Sequence, residues 1–315
     1  MVLKDFPVSS LDPDDDGAAD LVFEESDVDA MARALLAQHQ GSWRLPDGPI
    51  DLRNGVRWVP RLRTGPKGLV HIHATPQVSE SWLRRMRLST DMGFQIHVAA
   101  PLELWYSAET LCALDSIGVH TLVLAPDGDL GWKIKARYRS VPELISSGKL
   151  VIGPDALQEI GNRALGRALA APTANEKGWR FEDFLCLLFS QVSYFEVFER
   201  NYRNKTQEID IVLRDRRISG SPLALVSGKN LAAPVESDAL TSLRAKMAGR
   251  RGQCKLGFLC VSRTFTSSVQ IDEIGNRLAD SVVVTLDGKD LRRLMERAAE
   301  LDQEIERLII EAALT

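Results

Sequence analysis

The hydrophobic period of this chain switches repeatedly between that of a helix and that of a strand, and this alternation constrains its fold more than any other feature. Phe181, Phe184, Leu185, Leu188 and Phe189 recur at i, i+3, i+4, i+7 and i+8, which makes one buried face of a helix. Runs of strand length follow near residues 194–198, 208–213 and 223–229. A helix is then expected over 237–248, a strand over 256–262, a helix over 267–278 and a strand over 282–286. A final helix starts around 287–290 and carries Leu291, Leu294, Ala298, Leu301, Ile305 and Leu308 at helical spacing. Elements alternating at these lengths predict a mixed central sheet flanked by helices.

The first half repeats the theme more weakly. Asp27 is placed to cap a helix through Met31, Leu35 and Leu36. Strands are expected near 56–59, 69–74, 94–99 and 120–124, with helices over 79–90 and 108–117. The organisation that follows is an acidic flexible tail over 1–27 and an α/β domain over 28–150. A Gly- and Ala-rich connector, partly helical, covers 151–172, and a second α/β domain covers 173–315. Two domains suit a length of 315 residues.

Charge is distributed unevenly behind a net value of −4. Residues 1–30 hold ten acids against Lys4, whereas residues 200–263 hold thirteen Lys or Arg against five acids. A local excess of that sign is the footprint of a polyanion binder, because each neutralised phosphate releases counterions. Lys205, Arg244, Lys246, Arg250 and Arg251 are the candidate phosphate contacts. Cys112, Cys186, Cys254 and Cys260 lack ligand-like spacing and read as reduced buried thiols. No apolar run approaches the roughly 18 residues that span a bilayer, and the first residues do not form a secretory signal. A cytoplasmic protein with no membrane partner is expected.

Four positions carry the chemistry. On a strand, side chains alternate faces, so Glu208 and Asp210 share one face while Ile209, Ile211 and Leu213 share the other. In Leu223-Ala224-Leu225-Val226-Ser227-Gly228-Lys229, Ser227 and Lys229 point the same way. Antiparallel pairing would gather Asp210, Ser227 and Lys229 at one sheet end, within reach of Glu182 on the preceding helix. Carboxylate oxygens suit Mg²⁺ or Mn²⁺, and the Gly228 carbonyl is a further candidate ligand. A lysine beside metal and phosphate can orient water and stabilise the developing anion.

These residues resemble the PD-(D/E)XK nuclease superfamily, specifically its Mrr-like restriction endonuclease branch, over about 173–300. Gly178-Trp179-Arg180-Phe181-Glu182-Asp183-Phe184 is similar to the opening helix with its metal-supporting glutamate, and Glu208-Ile209-Asp210 to the aspartate strand. Leu225-Val226-Ser227-Gly228-Lys229-Asn230 is similar to the strand that normally reads Val-Glu-x-Lys-Asn. The resemblance implies a restriction-endonuclease-like fold and Mg²⁺-dependent hydrolysis of DNA, with Asp210 and Glu182 on the metal and Lys229 near the scissile phosphate. Ser227 departs from the pattern, since a hydroxyl is a poor substitute for a carboxylate. Three explanations stand open: a carboxylate migrated from elsewhere, with Glu236 and Glu208 as candidates; a metal held by Glu182, Asp210 and the Gly228 carbonyl alone; or a fold that binds without cutting. Double-strand cutting would favour a homodimer, with the long C-terminal helix as its interface.

Other signals are weaker. His71 and His73 share a strand face, and His97 lies on a neighbouring strand, but core or cleft histidines are the expected reading. No Gly-x-x-x-x-Gly-Lys-Ser/Thr is present to cradle nucleotide phosphates. Asp51 ahead of Leu69-Val70-His71-Ile72-His73 faintly echoes the nuclease strand pair, so the first domain is either a degenerate copy of the second or an unrelated sensor. Trp43, Trp58, Trp82, Trp105 and Trp132 are expected mainly in its core.

Overall fold

In a computed structural model of the chain, β5 (Gly68–Ile72) and β6 (Gln95–Pro101) pair in parallel, Val70 against His97 and Ile72 against Ala99. Parallel neighbours need a crossover, and α2 (Glu80–Asp91) provides it; Ser79 caps that helix by accepting from the Trp82 N–H. The described residues are 25–39, 42–47, 50–52, 57–58, 60–64, 66–73, 78–101, 107–128, 131–203, 208–220, 222–250, 252–269 and 281–314. The chain divides into one unit of residues up to 110 with 122–136 and another of 111–121 with 137–315. Most of the acidic tail, Trp105, Lys205 and Arg251 lie outside the described residues.

In the first unit, β4 (Leu62–Thr64) runs antiparallel to β5, and β1 (Trp43–Arg44) antiparallel to β4. The sheet order is β1-β4-β5-β6-β7-β8, with β7 at His120–Asp127 and β8 at Gly131–Tyr138. α1 (Glu25–Gln38) lays Val28, Met31, Ala32 and Leu35 into one cluster with Leu62, Val70 and Ile72, so α1 covers one face of the sheet. Trp82 is buried, and Trp43 and Trp132 pack against the core from its margin. Asp51 belongs to a separate pair, β2 (Ile50–Asp51) with β3 (Arg57–Trp58), and not to the sheet of β5. The faint echo of a nuclease strand pair therefore does not fall on Asp51.

The histidines do not gather. His71 and His73 contact Trp82 of α2, at ring distances of 5.0 and 5.6 Å. His97 pairs with Val70, which lies on the α1 face instead. Burial holds His71 at about 3 and His73 at about 4. A depressed histidine takes its proton first in the unfolded chain, so stability present at neutral pH is lost as pH falls through the window between these values and about 6.5. For His73, only 4% exposed, the full effect is about 3 kcal/mol. Thermal melts of the full chain are expected to weaken from about pH 6.5 towards about pH 4. His73→Gln, which carries no titrating proton, should flatten that slope.

The second unit is built on a five-stranded sheet, order β13-β12-β11-β10-β9. Its strands are β9 (Phe195–Arg203), β10 (Glu208–Asp215), β11 (Leu223–Lys229), β12 (Cys254–Val261) and β13 (Val282–Leu286). β9, β10 and β11 pair antiparallel, while β11, β12 and β13 are parallel, so the sheet is mixed as expected. α3 (Ala108–Ile117) enters this unit at Leu111 and is followed there by α4 (Val141–Gly148), α5 (Pro154–Ala170) and α6 (Ala174–Ser190). Thr173 caps α6 by accepting from the Glu176 N–H at 3.2 Å, as the Thr-x-x-Glu spacing predicts. One face of the sheet takes α6, whose Phe189 meets Phe195 and Phe258 at 6.2 and 4.8 Å. The other takes α7 (Ser237–Ala248), whose Leu240, Leu243 and Met247 pack with Leu225 and Leu259.

Two expectations are corrected. Residues 151–172 are no linker: α5 is a 17-residue helix inside the second unit. Gly161 lets it press on α8 (Gly288–Glu296), since a Cβ there would lie 2.2 Å from Met295 Sδ. The C-terminal helix is also not continuous. α8 stops at Arg297, which leaves helical geometry at φ −109°, and a 3₁₀ turn leads into α9 (Leu301–Leu314). At the break the Arg297 guanidinium reaches forward to pair with Glu300 and the buried Glu304, which ties the two helices together across the turn. Of the helix expected over 267–278, only its opening at 267–269 falls among the described residues.

Candidate active site

β10 and β11 are in register up to Ile211 and Val226, and beyond that pair the ladder is replaced by a side chain. Asp210 Oδ2 accepts from the Gly228 N–H at 2.6 Å and from Ser227 Oγ at 3.3 Å. The carboxylate thus takes the place of a strand carbonyl where the two strands part. Within one strand residue N–H and C=O point to the same side, so the Gly228 carbonyl is also directed towards β10 and Asp210. Lys229 follows Ser227 by two residues on the same strand face, about 6.6 Å further along. Its carbonyl is held from the opposite side by the Ser262 N–H at 3.0 Å. Among the described residues its ammonium forms no ion pair within the hydrogen-bonded shell of Asp210 or elsewhere.

Glu182 reaches this place because Gly228 has no side chain. A Cβ on Gly228 would meet Leu185 Cδ1 at 2.8 Å and Phe181 at 3.3 Å, so α6 lies directly on the strand backbone there. Glu182 follows Phe181 in α6 and stands half-buried beside Asp210. Burial pushes its carboxyl above the ordinary value; the charges of Asp210 and Asp183 push the same way, while an Asn201 hydrogen bond and Arg200 oppose it.

Asn201 is a residue that sequence reasoning missed. The register of β9 with β10, Tyr202 to Ile209 and Arg200 to Ile211, sets it opposite Asp210. It adopts φ 50°, a left-handed conformation uncommon outside glycine and best tolerated by Asn or Asp. No strand propensity predicts such a kink inside β9.

Asn230, which closes the Ser-Gly-Lys-Asn run, anchors the strand end. Its Nδ2 donates to Ala168 O at 2.8 Å and to Lys177 O at 2.9 Å, tying β11 to α5 and α6. Both partners are carbonyls, so only an amide suits the position. Asn230→Asp is expected to cost about 2–3 kcal/mol by setting a carboxylate against two acceptors, whereas Asn230→Ala should cost less. Urea denaturation of the two variants ranks them.

A buried ion-pair network supports the other side of α6. Asp183, 2% exposed, accepts from Ser140 Oγ at 2.9 Å and is paired with Arg200 of β9. Arg200 also lies 3.6 Å from Glu143, and Arg139 lies 3.9 Å from Asp183. A cleft of about 240 Å³ borders Asp183, His120, Arg139 and Trp179, but Asp210, Ser227, Gly228 and Lys229 do not line it.

The remaining candidates are placed less closely. Glu236 is exposed at the N-cap of α7, and among the described residues no three of His, Cys, Asp or Glu gather as a metal-binding set. Glu208 begins β10, and its side chain lies outside what is described. Arg244 and Lys246 are half-buried on α7, and Arg250 follows in the next turn. Arg250 influences Cys254, which pairs with Leu223 at the start of β11. Six residues separate Leu223 from Lys229, about 20 Å of strand. Of the candidate phosphate contacts, Arg250 therefore sits at the sheet end opposite Lys229.

No family model matches the chain, and no curated protein matches it. Among solved structures the chain is similar to the EndoMS–dsDNA2 complex at 16% identity and TM-score 0.24, over 30% of this chain and 38% of that one. It is similar to MspJI restriction endonuclease in complex with a 27-mer oligonucleotide at 15% identity and TM-score 0.31, over 51% of this chain and 39% of that one. The chain thus spans less than half the length of either, and at such scores the site stands on its own residues alone.

Proposed function

We propose that the second unit is a metal-dependent phosphodiesterase acting on DNA, an endonuclease of the restriction or phage-defence kind with an Mrr-like PD-(D/E)XK site. The observation that carries this reading is the meeting of Asp210 with the Gly228 backbone where β10 parts from β11, with Glu182 near enough to feel the Asp210 charge and Lys229 next after Gly228 on the strand.

The donor set suits a small, hard dication. It offers only oxygen: two carboxylates and one backbone carbonyl, which matches the one or two carboxylates that commonly hold Mg²⁺ with water and substrate phosphate oxygens. Asp210 Oδ2 is engaged by Gly228, whereas Oδ1 accepts no hydrogen bond among the described residues and is left for a ligand. Two acids held close enough to repel are stabilised by a cation between them. Glu182, Asp210 and the Gly228 carbonyl would hold Mg²⁺ or Mn²⁺, which when bound lowers the pKa of a coordinated water and offsets charge on the phosphate. The Gly228 N–H fixes the Asp210 carboxylate in one orientation. Lys229 supplies a positive charge on the strand face where a phosphate would lie, orienting the attacking water and stabilising the developing anion.

Ser227 favours a second reading, in which the same fold binds DNA without cutting it. Supercoiled plasmid incubated with the protein in Mg²⁺ or Mn²⁺ separates the two. Nicking or linearisation that is abolished by EDTA and by Asp210→Ala supports the hydrolase. DNA that is retarded on a gel but intact, with either metal, supports the binding module.

A further inference from the structure

Two neighbours on β9 serve two neighbours on α6. Arg200 pairs with Asp183, and the side-chain amide of Asn201 is hydrogen-bonded to Glu182. A regular strand does not allow this, because its successive side chains point to opposite faces of the sheet. Arg200 stands opposite Ile211 and turns to α6, so Asn201 in an extended conformation would point away from that helix. Its φ of 50° breaks the alternation at this one residue. On either side β9 and β10 keep one register, Tyr202 against Ile209 and Arg200 against Ile211. The kink therefore adds no residue and shifts no partner; it re-aims a single side chain, opposite Asp210. A left-handed conformation is disfavoured for any residue with a Cβ, least so for Asn and Asp, and such strain inside an otherwise regular ladder marks a place where a side chain is held for a purpose.

We propose that Asn201 is a positioning residue of the Asp210 site: it holds the Glu182 carboxylate beside Asp210, so that two acids and the Gly228 carbonyl take a divalent cation although Ser227 offers no third carboxylate. This role rests on the reading of that site as a metal-dependent phosphodiesterase. The amide is the donor, since an ionised carboxylate only accepts. Burial and the charges of Asp210 and Asp183 all oppose an ionised Glu182, and the Asn201 N–H favours it. Arg200 acts in the same sense, but its guanidinium is paired with Asp183. Without the amide, repulsion by Asp210 would turn the Glu182 side chain out of the donor set. A group that hydrogen bonds a metal ligand fixes the orientation of that ligand, and its loss commonly costs about tenfold or more in affinity. Asn201 is itself exposed, so its side chain can be removed without opening the core.

The test compares two substitutions in the full chain. Asn201→Gly keeps the left-handed backbone and removes the amide, whereas Asn201→Ala removes the amide and strains the backbone. Mn²⁺ binding, followed by electron paramagnetic resonance, should weaken about tenfold or more in Asn201→Gly, with its melting temperature close to that of the wild type. Asn201→Ala should show the same loss of Mn²⁺ affinity and melt lower, which separates the amide from the backbone. Asn201→Gly that binds Mn²⁺ as tightly as the wild type overturns the proposal and leaves the phosphodiesterase reading standing. A second measurement needs no metal: urea denaturation in EDTA of Asn201→Gly, Glu182→Ala and the double variant. Non-additive effects are expected, because each substitution removes the same hydrogen bond. Additive effects show that the two side chains do not act on each other and overturn the proposal. Non-additive effects in a protein whose wild type binds no Mn²⁺ sink the metal-dependent reading, and keep Asn201 as the residue that holds Glu182.

Discussion

Lys229→Ala is expected to lower the rate of DNA cleavage by about a hundredfold to a thousandfold while leaving Mn²⁺ binding in place. The ammonium stands on the strand face of Ser227 and is no part of the oxygen donor set. Its loss should remove stabilisation of the transition state and little of the ground state. In single-turnover assays this appears as a fall in the chemical rate with DNA affinity changed only slightly. Asp210→Ala should differ in kind, losing Mn²⁺ binding and cleavage together, as electron paramagnetic resonance of Mn²⁺ would register. If Lys229→Ala cleaves at the wild-type rate, the lysine has no part in the chemistry and the assignment of this strand collapses.

Ser227→Glu sharpens the same result. Ser227 is 4% exposed and its hydroxyl touches Asp210, so a glutamate adds a third acid where two already repel. Without metal the variant should be less stable than the wild type; with Mn²⁺ it should gain more stability than the wild type does, through ligand linkage. A rise in metal affinity on the order of tenfold, accompanied by faster cleavage, would show that the serine alone limits the site.

Asp183→Ala is expected to destabilise the second unit by about 3–5 kcal/mol, the largest stability loss we anticipate from one substitution. The carboxylate is buried and paired with Arg200, whose side chain is itself only 15% exposed. Removing it strands a guanidinium away from water and breaks the bond from Ser140 Oγ. Thermal unfolding should shift down by roughly 10 °C. Replacing both partners with apolar residues, Asp183→Leu with Arg200→Met, should recover much of the loss, because neither leaves an unpaired charge. Glu182→Gln is the contrasting control on the same helix. Its carboxyl is raised by burial and by Asp210, so neutralising it should leave stability unchanged or slightly higher, and a loss as large as that of Asp183 would refute this account of the two acids.

The two neighbours show how far residue order can be read. Glu182 was legible as a functional acid because the apolar stripe of Phe181, Phe184, Leu185, Leu188 and Phe189 fixes which side of α6 it borders. Asp183 was not, since it is buried only through Arg200 and Ser140, which lie 17 and 43 positions away. Asp210, Ser227 and Lys229 could be placed on one strand face by the two-residue repeat alone. That Asp210 would take the ladder bond of Gly228, and that Asn201 would kink opposite it, required the register of three strands. Arg250 follows Lys229 by only 21 positions in the chain, yet the parallel crossover between β11 and β12 carries it to the far end of the sheet.

What the sequence by itself determined is the alternation of elements, the face on which each strand residue lies, and the residue types available for chemistry. These are set by local sterics and by the separation of apolar from polar side chains, and they act over a few residues. Only the tertiary structure decided that Pro154–Ala170 is a helix of the second unit, that α8 and α9 are broken at Arg297, and that Asn201 kinks opposite Asp210. Each of those depends on partners distant in the chain, whose meeting is governed by strand register and close packing rather than by any short-range pattern.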